Sequence, residues 1–195
     1  MDNSTSTKKK RIIVWASGAG SNAINIYHYF SDHEHIEVSH IFSNKKKSKV
    51  LRRGHDLGIK CIHFEKSDLY DSNDLLDVVK DINPDLIVLA GFLLKIPESF
   101  LLEFPDKIIN IHPSLLPKYG GDGMYGERVF KSVLKNNDKQ AGITIHYVNE
   151  DYDKGEIIDQ FKVELDDDED INSLIDKIRD LEYENYPKVI EKLLL

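Results

Sequence analysis

The feature that most constrains the fold of this chain is a regular alternation of short apolar runs with amphipathic segments over its first 112 residues. The runs have the length and composition of β-strands, and they lie at 12–16, 36–42, 60–64, 85–90 and 107–112. The run at 85–90 is almost continuously apolar, which is typical of a central parallel strand buried on both faces. This alternation predicts an α/β fold with a parallel sheet and helices on both faces.

The segments between these runs have the apolar spacing of helices. The first follows a glycine-rich turn at 17–22 and places Ile24, Ile26 and Phe30 on its apolar face. Three more helices are predicted at 49–57, 71–82 and 97–104. Ser48 is the expected N-cap of the helix at 49–57, because its hydroxyl can accept a bond from a free N–H of the first turn.

After residue 112 the pattern changes. A glycine-rich loop at 119–126 leads into a predicted helix at 127–135. Two strands, expected at 143–148 and 156–163, are joined by an acidic loop at 150–154, so they are predicted to form a hairpin. Two terminal helices are expected at 171–181 and 186–194. The prediction is therefore a Rossmann-like, mostly parallel central sheet with an antiparallel C-terminal hairpin.

The chain has 195 residues, of which 41% are hydrophobic and 31% are charged, as in ordinary globular domains. We expect a polar, disordered tail at 1–10 and a single domain at 11–195. The net charge of −8 argues against binding to nucleic acid or to a membrane surface. No apolar stretch is long enough to cross a bilayer and no secretory signal is present, so the expected location is cytoplasmic. The single cysteine, Cys61, excludes an internal disulfide.

The predicted strand at 107–112 carries two polar side chains at its end, Asn110 and His112. Because side chains alternate along a strand, both project to one face while Ile111 packs on the other. Pro113 has no backbone donor and ends the strand. An amide and an imidazole at the carboxyl end of a strand suit chemistry at a carbonyl, since the amide can donate to an oxyanion and the imidazole can move a proton.

The glycine-rich turn after the first strand, Gly18-Ala19-Gly20-Ser21-Asn22-Ala23, matches the fingerprint of dinucleotide-binding folds. Its backbone N–H groups at a helix N-terminus favour an anion. The segment 41–45, where a ribose-binding carboxylate is expected, contains none, and its Lys45 would suit an NADP phosphate. Asn22, at the start of the helix, is better suited to a phosphate monoester than to a pyrophosphate. Both readings remain open at this point.

Several motifs occur together in an order and spacing that resemble one family. They are Ser17-Gly18-Ala19-Gly20-Ser21-Asn22, Leu89-Ala90-Gly91-Phe92, Asn110-Ile111-His112-Pro113-Ser114-Leu115-Leu116-Pro117, Thr144-Ile145-His146-Tyr147-Val148, Asp153 with Gly155, and Glu182 with Tyr186-Pro187. From Arg11 to the C-terminus the chain resembles the phosphoribosylglycinamide formyltransferases, folate-dependent enzymes of purine synthesis. The resemblance implies formyl transfer from 10-formyltetrahydrofolate to the amine of 5′-phosphoribosylglycinamide.

The same resemblance implies a role for each matching residue. Asn110 would donate to the oxyanion, and His112, as an imidazolium raised in pKa by Asp153, would stabilise it and deliver a proton. Gly20, Ser21, Asn22 and Glu182 would bind the phosphate and ribose of the substrate. The folate would contact Leu93, Leu94, Lys95, Ile96 and Asn110. No metal is implied, the partners are small molecules, and either a monomer or a homodimer is compatible.

The chain departs from the family pattern in places. Leu93-Leu94-Lys95-Ile96 stands where Met-Arg-Ile-Leu is common, and the arginine often found before the third helix is missing from 65–74. The loop at 120–126 is longer than usual, and Glu127 replaces a frequent histidine. Two alternatives remain: a formyltetrahydrofolate deformylase that uses the same catalytic residues with water as acceptor, and a non-catalytic NADP-binding Rossmann module.

Overall fold

A computed structural model describes residues 8–195. Seven strands of this part of the chain form one sheet in the order β3-β2-β1-β4-β5-β6-β7. The strands are β1 (Lys10–Trp15), β2 (Ile36–Ser43), β3 (Lys60–His63), β4 (Leu86–Leu89), β5 (Ile108–His112), β6 (Gln140–Tyr147) and β7 (Ile157–Glu164). The helices are α1 (Ser21–Phe30), α2 (Lys49–Asp56), α3 (Lys66–Tyr70), α4 (Asp74–Ile82), α5 (Glu98–Glu103), α6 (Glu127–Lys135) and α7 (Ile171–Leu194).

The predicted fold class is confirmed. The pairs β3–β2, β2–β1, β1–β4 and β4–β5 are parallel, whereas β5–β6 and β6–β7 are antiparallel. The predicted hairpin of β6 and β7 is present, and it joins the parallel part of the sheet through β6. Antiparallel pairing sets Asn110 of β5 directly opposite His146 of β6, which matters for the site described below.

Two apolar layers cover the two faces of the sheet. Successive residues of β1 pack into the two layers in turn: Ile12 and Val14 pack on one face, and Ile13 and Trp15 pack on the other. The layer around Trp15 is aromatic, and the rings of Phe42, Phe64, Phe92 and Phe100 all lie within 5.4 Å of its centroid. The sheet is thus buried from both sides, as its apolar parallel strands require.

The strand order reverses between β1 and β4, which is where α/β folds of this kind open a crevice beyond the carboxyl ends of their strands. Three segments leave the sheet at this edge: the glycine-rich turn after β1, the segment after β4 that begins with Ala90, and the Pro113 turn after β5. The three segments that carry the sequence motifs therefore meet at this crevice.

The structure corrects two element boundaries. The predicted polar tail at 1–10 is too long, because Lys10 already begins β1 and its N–H bonds to the His35 carbonyl at 2.6 Å. Residues 1–7 of that prediction lie outside the described part of the chain. The helix predicted at 71–82 corresponds to α4, which begins three residues later, at Asp74. The short helix α3 before it was not predicted, and the Asp68 carboxylate accepts the Glu65 N–H where α3 begins.

The prediction for Ser48 is right in position and wrong in detail. Ser48 precedes α2, but its hydroxyl makes no capping bond, and its oxygen is buried without a hydrogen-bond partner among the described residues. The first turn of α2 instead docks on the turn after β1, because the Val50 N–H donates to the Gly18 carbonyl at 3.2 Å. A backbone hydrogen bond between the two segments therefore takes the place of a side-chain cap at Ser48.

The two predicted terminal helices are one continuous helix, α7, with Pro187 inside it. A proline lacks the N–H that would bond to the carbonyl four residues earlier, which here belongs to Tyr183. Asn25 of α1 supplies the missing donor, since its amide nitrogen bonds to that carbonyl at 2.9 Å. Tyr186 is fully buried beside Pro187 and donates its hydroxyl proton to the Leu89 carbonyl at 3.0 Å. Within residues 8–195 no helix is long and apolar enough to cross a membrane.

Candidate active site

A cavity of about 450 Å³ lies in the crevice at the carboxyl ends of the strands. It is within the size range of small-molecule sites. The cavity brings together most of the residues singled out in the sequence: Ser21, Leu93, Leu94, Lys95, Ile96, Asn110, His112, Asp153 and Glu182. Gly20 and Asn22 are not part of its lining. The catalytic motif, the turn after β1 and the segment after β4 therefore share one space.

His112 is held from both ring nitrogens. The ring is 4% exposed, and its Nε2 lies 2.7 Å from the Tyr119 carbonyl oxygen, which can only accept, so Nε2 carries a proton. Its Nδ1 faces the Asp153 carboxylate at 3.4 Å. Asn110 and His112 lie on the same face of β5, as strand alternation predicts, and both reach the cavity.

Asp153 stands at the centre of the polar cluster. It lies in the loop between β6 and β7 with a positive φ of 55°, a conformation that aspartate tolerates better than most residues. Its Oδ2 accepts the Gly121 N–H at 2.9 Å and faces His112, while its Oδ1 lies 3.7 Å from Nε2 of His146. Burial raises the pKa of Asp153, but the two histidines and the Gly121 N–H outweigh it, so the net pKa is below the ordinary value.

His146 connects Asp153 to Asn110. Its Nδ1 lies 2.8 Å from the Tyr147 carbonyl and must donate to it, which leaves Nε2 of the neutral ring as an acceptor. That nitrogen lies 3.2 Å from Nδ2 of Asn110 and accepts one amide proton. The amide is thereby fixed with its nitrogen toward His146. The sequence interpretation gave His146 a supporting role, and this contact shows which group it supports.

Burial sets the net direction of the His112 pKa. The desolvated ring disfavours the charged form, and this lowers the pKa more than Asp153 and the Tyr119 carbonyl raise it. A second histidine, His146, adds to the lowering. The expected net increase caused by Asp153 is therefore wrong in this structure, although Asp153 does act in the expected direction.

This balance gives a test by NMR titration. In Asp153→Asn the amide oxygen can still accept the Gly121 N–H, but the charge that favours protonated His112 is lost. We expect the titration midpoint of His112 to move to lower pH. Asp151→Asn, in the same loop but at an exposed side chain paired with Lys154, is the control and leaves the midpoint unchanged. A midpoint that stays or rises in Asp153→Asn contradicts the assigned contact.

The two glycines of the turn after β1 have different roles. Gly20 has a φ of 70°, in the left-handed region, and a Cβ at this position would lie 2.1 Å from Cγ2 of Val50. A Cβ on Gly18 would meet nothing within 4 Å. Gly20 therefore serves packing as well as conformation, and substitution there would disturb the fold along with any bound anion. Ser21, the first residue of α1, is the member of the turn that lines the cavity.

Asn22 and Glu182 are bound to each other. Nδ2 of Asn22 donates to Oε2 of Glu182 at 2.8 Å, and Oδ1 of Asn22 is buried with no partner among the described residues. Glu182 lies inside α7, not ahead of a last helix as the sequence predicted, and it lines the cavity. Burial raises the pKa of Glu182 to about 7, although the bond from Asn22 opposes this.

The raised pKa of Glu182 makes a stability prediction. A carboxyl group whose folded pKa is about 7 costs the folded state free energy as pH rises from its unfolded value of 4.5 through 7. Glu182→Gln removes that cost and can keep the bond from Asn22. We expect the variant to gain about 3 kcal/mol in free energy of unfolding over wild type between pH 4 and pH 8.5. Urea denaturation at both pH values measures it.

The matched control is Glu184→Gln, at an exposed position of the same helix where the carboxylate pairs with Lys188 at 3.1 Å. Its free energy of unfolding relative to wild type should change little over the same pH range. Equal pH dependence in the two variants would show that Glu182 is not desolvated.

The segment after β4 lines the cavity and is anchored through its backbone. The Leu93 N–H donates to Ser17 Oγ at 3.0 Å, and the Lys95 carbonyl accepts the Tyr70 hydroxyl at 2.8 Å. Gly91, with a φ of 73°, makes the turn that leads into this segment. These contacts fix the backbone of 93–96 where these residues line the cavity.

Two residues of the cavity wall, Arg179 and Tyr152, were not assigned from the sequence. Arg179 lies one helical turn before Glu182 on α7, and Tyr152 precedes Asp153 in its loop. Residues 121–126 of the second glycine-rich loop also line the cavity, and Gly121 is bonded to Asp153. The spacing of Arg179 and Glu182 along one helix face was a usable signal, but only if the helix was known to be continuous.

The comparisons with known proteins agree with this geometry. The family model described as formyl transferase matches residues 10–190. The phosphoribosylglycinamide formyltransferase of Bacillus subtilis is 33% identical over 190 residues, which cover 95% of each chain. The chloroplastic enzyme of that name from Arabidopsis thaliana is 35% identical over 94% of this chain.

The chain spans 65% of the Arabidopsis relative and 61% of the relative from Vigna unguiculata. Among solved structures, glycinamide ribonucleotide transformylase 1 from Geobacillus kaustophilus superposes with a TM-score of 0.86 at 30% identity, covering 96% of this chain and all of that one. The family model matches nearly the whole chain, and the Bacillus subtilis relative and the Geobacillus kaustophilus structure share its length. The chain therefore belongs to the formyl transferase family, among the phosphoribosylglycinamide formyltransferases.

Proposed function

We propose that this protein transfers the formyl group of 10-formyltetrahydrofolate to the primary amine of 5′-phosphoribosylglycinamide, in purine synthesis. The observation that carries the proposal is the meeting of the Asn110 amide, the His112 imidazole and the Asp153 carboxylate in the cavity that Ser21 and Glu182 also line. In the reaction a new C–N bond forms between the amine and the formyl carbon. The bond from that carbon to the folate nitrogen then breaks, and this nitrogen takes a proton.

Asn110 is proposed to donate to the oxygen of the formyl group as it becomes an oxyanion. One of its amide protons is bound to His146, which fixes the direction of the other. A fixed donor costs no reorganisation during the reaction, and one such donor is commonly worth about 3 kcal/mol of transition-state stabilisation. His146 acts here as a positioning residue.

His112 and Asp153 are proposed to manage the protons. Nδ1 of His112 faces the carboxylate at 3.4 Å, so a proton arriving at the ring from the attacking amine is stabilised by an adjacent negative charge. The lowered pKa of His112 means that the ring readily gives up this proton. It can therefore pass it on to the leaving nitrogen of the folate, directly or through a water held by Asp153.

The two substrates are proposed to enter from opposite ends of the cavity. The phosphoribosyl end would bind at Gly20, Ser21 and Asn22, where α1 begins, with Glu182 on the ribose. The folate ring would bind against the backbone of 93–96 and under the loop that carries Asp153. The cavity fits such a co-substrate, because its walls are mostly apolar and residues 93–96 form part of them.

The decisive assay incubates the purified protein with 10-formyltetrahydrofolate, with and without 5′-phosphoribosylglycinamide, and follows tetrahydrofolate release. The proposal requires release that depends on the acceptor, with formylated acceptor as the product. Release at the same rate without the acceptor would identify a deformylase, since water would then be the nucleophile. No release under either condition would contradict both formyl transfer and deformylation.

A further inference from the structure

A second cavity, of about 470 Å³, lies at the start of α2 and is lined by positively charged side chains. We call it the cationic groove, and its charged wall is Lys46, Lys47, Lys49 and Arg52, with His55 beside them. Asp56 is the one carboxylate among the described residues that line it. The chain as a whole has a net charge of −8, so a cluster of four positive charges around one groove differs in sign from the rest of the molecule.

These four cations have no partners inside the described part of the molecule. Lys46, Lys47, Lys49 and Arg52 make neither an ion pair nor a side-chain hydrogen bond there, whereas ten of the other lysine and arginine side chains are ion-paired. Like charges held close together repel, so the groove carries a positive potential that an anion would relieve. A ligand with several negative charges fits it best.

The cationic groove lies close to the active-site cavity along the same edge of the sheet. Leu93, which lines the active-site cavity, donates its N–H to Ser17 Oγ at 3.0 Å, and that hydroxyl donates to Asn44 Oδ1 at 2.7 Å. Asn44 is two residues before Lys46. Two hydrogen bonds and two peptide units therefore connect the wall of one cavity with the wall of the other.

The groove favours an extended ligand with a row of charges. It has no phenylalanine, tyrosine or tryptophan in its lining, so it offers no surface on which a nucleotide base could stack. Its lysines are spread over the loop at 46–49, and Arg52 continues the row along α2. A chain of carboxylates or phosphates can meet these cations one after another.

We propose that the cationic groove binds the carboxylate tail of the folate co-substrate when that tail carries additional γ-linked glutamates. The inference rests on the proposed function, which places the folate against residues 93–96. Each added glutamate supplies one carboxylate, and the route from Leu93 to Lys46 gives the tail a path across the sheet edge.

The test compares the mono- and pentaglutamate forms of 10-formyltetrahydrofolate as substrates of the full chain. We expect wild type to have a KM about tenfold lower for the pentaglutamate, with equal kcat, because several exposed ion pairs each contribute a small factor. The ratio of the two KM values should shrink as salt is raised from about 50 to 300 mM, because salt screens exposed charges. With 5′-phosphoribosylglycinamide saturating, tripolyphosphate should raise the KM of the pentaglutamate and leave the KM of the monoglutamate unchanged.

The variant Lys46→Glu/Lys47→Glu should abolish the difference in KM and retain kcat with the monoglutamate. Its matched control is Lys162→Glu/Lys192→Glu, which changes the net charge equally at exposed lysines of β7 and α7 and should keep the difference. Formyl transfer by wild type with equal KM for both folates would overturn this inference and leave the proposed function standing. Loss of the difference in both variants would also overturn it, because net charge would then be the cause. Absence of transfer with either folate would overturn the proposed function itself.

Discussion

His112→Ala is expected to lower kcat for formyl transfer by about 10³- to 10⁴-fold, the range for loss of a residue that moves a proton in the transition state. The variant loses the ring that faces Asp153 and donates to the Tyr119 carbonyl. Circular dichroism and urea denaturation establish that it folds, and quenched assays with saturating substrates measure kcat. Retention of wild-type kcat would contradict the proposed mechanism.

Two further variants show whether His112 and Asp153 act together. Asp153→Asn alone should also lower kcat strongly, and the double variant should be no worse than the more damaged single variant, because groups that act as a unit are not additive. His35→Ala is the control for loss of a histidine, since His35 lies beside Glu34, outside both the active-site cavity and the cationic groove. Strictly additive losses would mean that the contact at 3.4 Å has no role in the reaction.

Gly20→Ala is expected to lower the free energy of unfolding by about 3 kcal/mol. About 1 to 2 kcal/mol comes from forcing a side chain into the left-handed conformation, and the rest comes from overpacking. The new Cβ would lie 2.1 Å from Cγ2 and 2.4 Å from Cβ of Val50, too close to be relieved by a rotation of that side chain. Urea denaturation of the two proteins measures the difference.

Gly18→Ala provides a matched control two residues away, because a Cβ there meets nothing within 4 Å. It should change the free energy of unfolding by less than about 1 kcal/mol. The double variant Gly20→Ala/Val50→Ala should be more stable than the sum of its single changes predicts, because Val50→Ala removes the clashing methyl groups. Equal losses in Gly18→Ala and Gly20→Ala would show that the contact with Val50 is unimportant.

The parts of the fold and site that depend on local rules could be predicted from the sequence. Strand alternation was enough to place Asn110 and His112 on one face of β5, and the alternation of apolar runs was enough for the parallel sheet. The helix at 127–135 was predicted with its observed bounds. In these cases the conformation of each segment follows from residues that are close to it in the sequence.

The parts that failed depend on partners distant in sequence. Two terminal helices were predicted, at 171–181 and 186–194, but the chain continues as one helix through Pro187. Asn25, 158 residues from Tyr183 along the chain, donates to the carbonyl that the proline leaves free. The direction of the His112 pKa depends on how deeply the finished fold buries the ring. The contact of His146 with Asn110 depends on the register of β5 against β6. None of these follows from spacing alone.

The hydrogen bond between Asp153 and Gly121 links the position of the loop at 120–126 to the pKa of Asp153. The same oxygen of Asp153 accepts the Gly121 N–H and faces His112, and the Gly121 N–H is one of the groups that lower the pKa of Asp153. Without this N–H the carboxylate would lose one of the groups that keep its pKa low. The position of residues 120–126 therefore helps to set the charge of the carboxylate that faces His112.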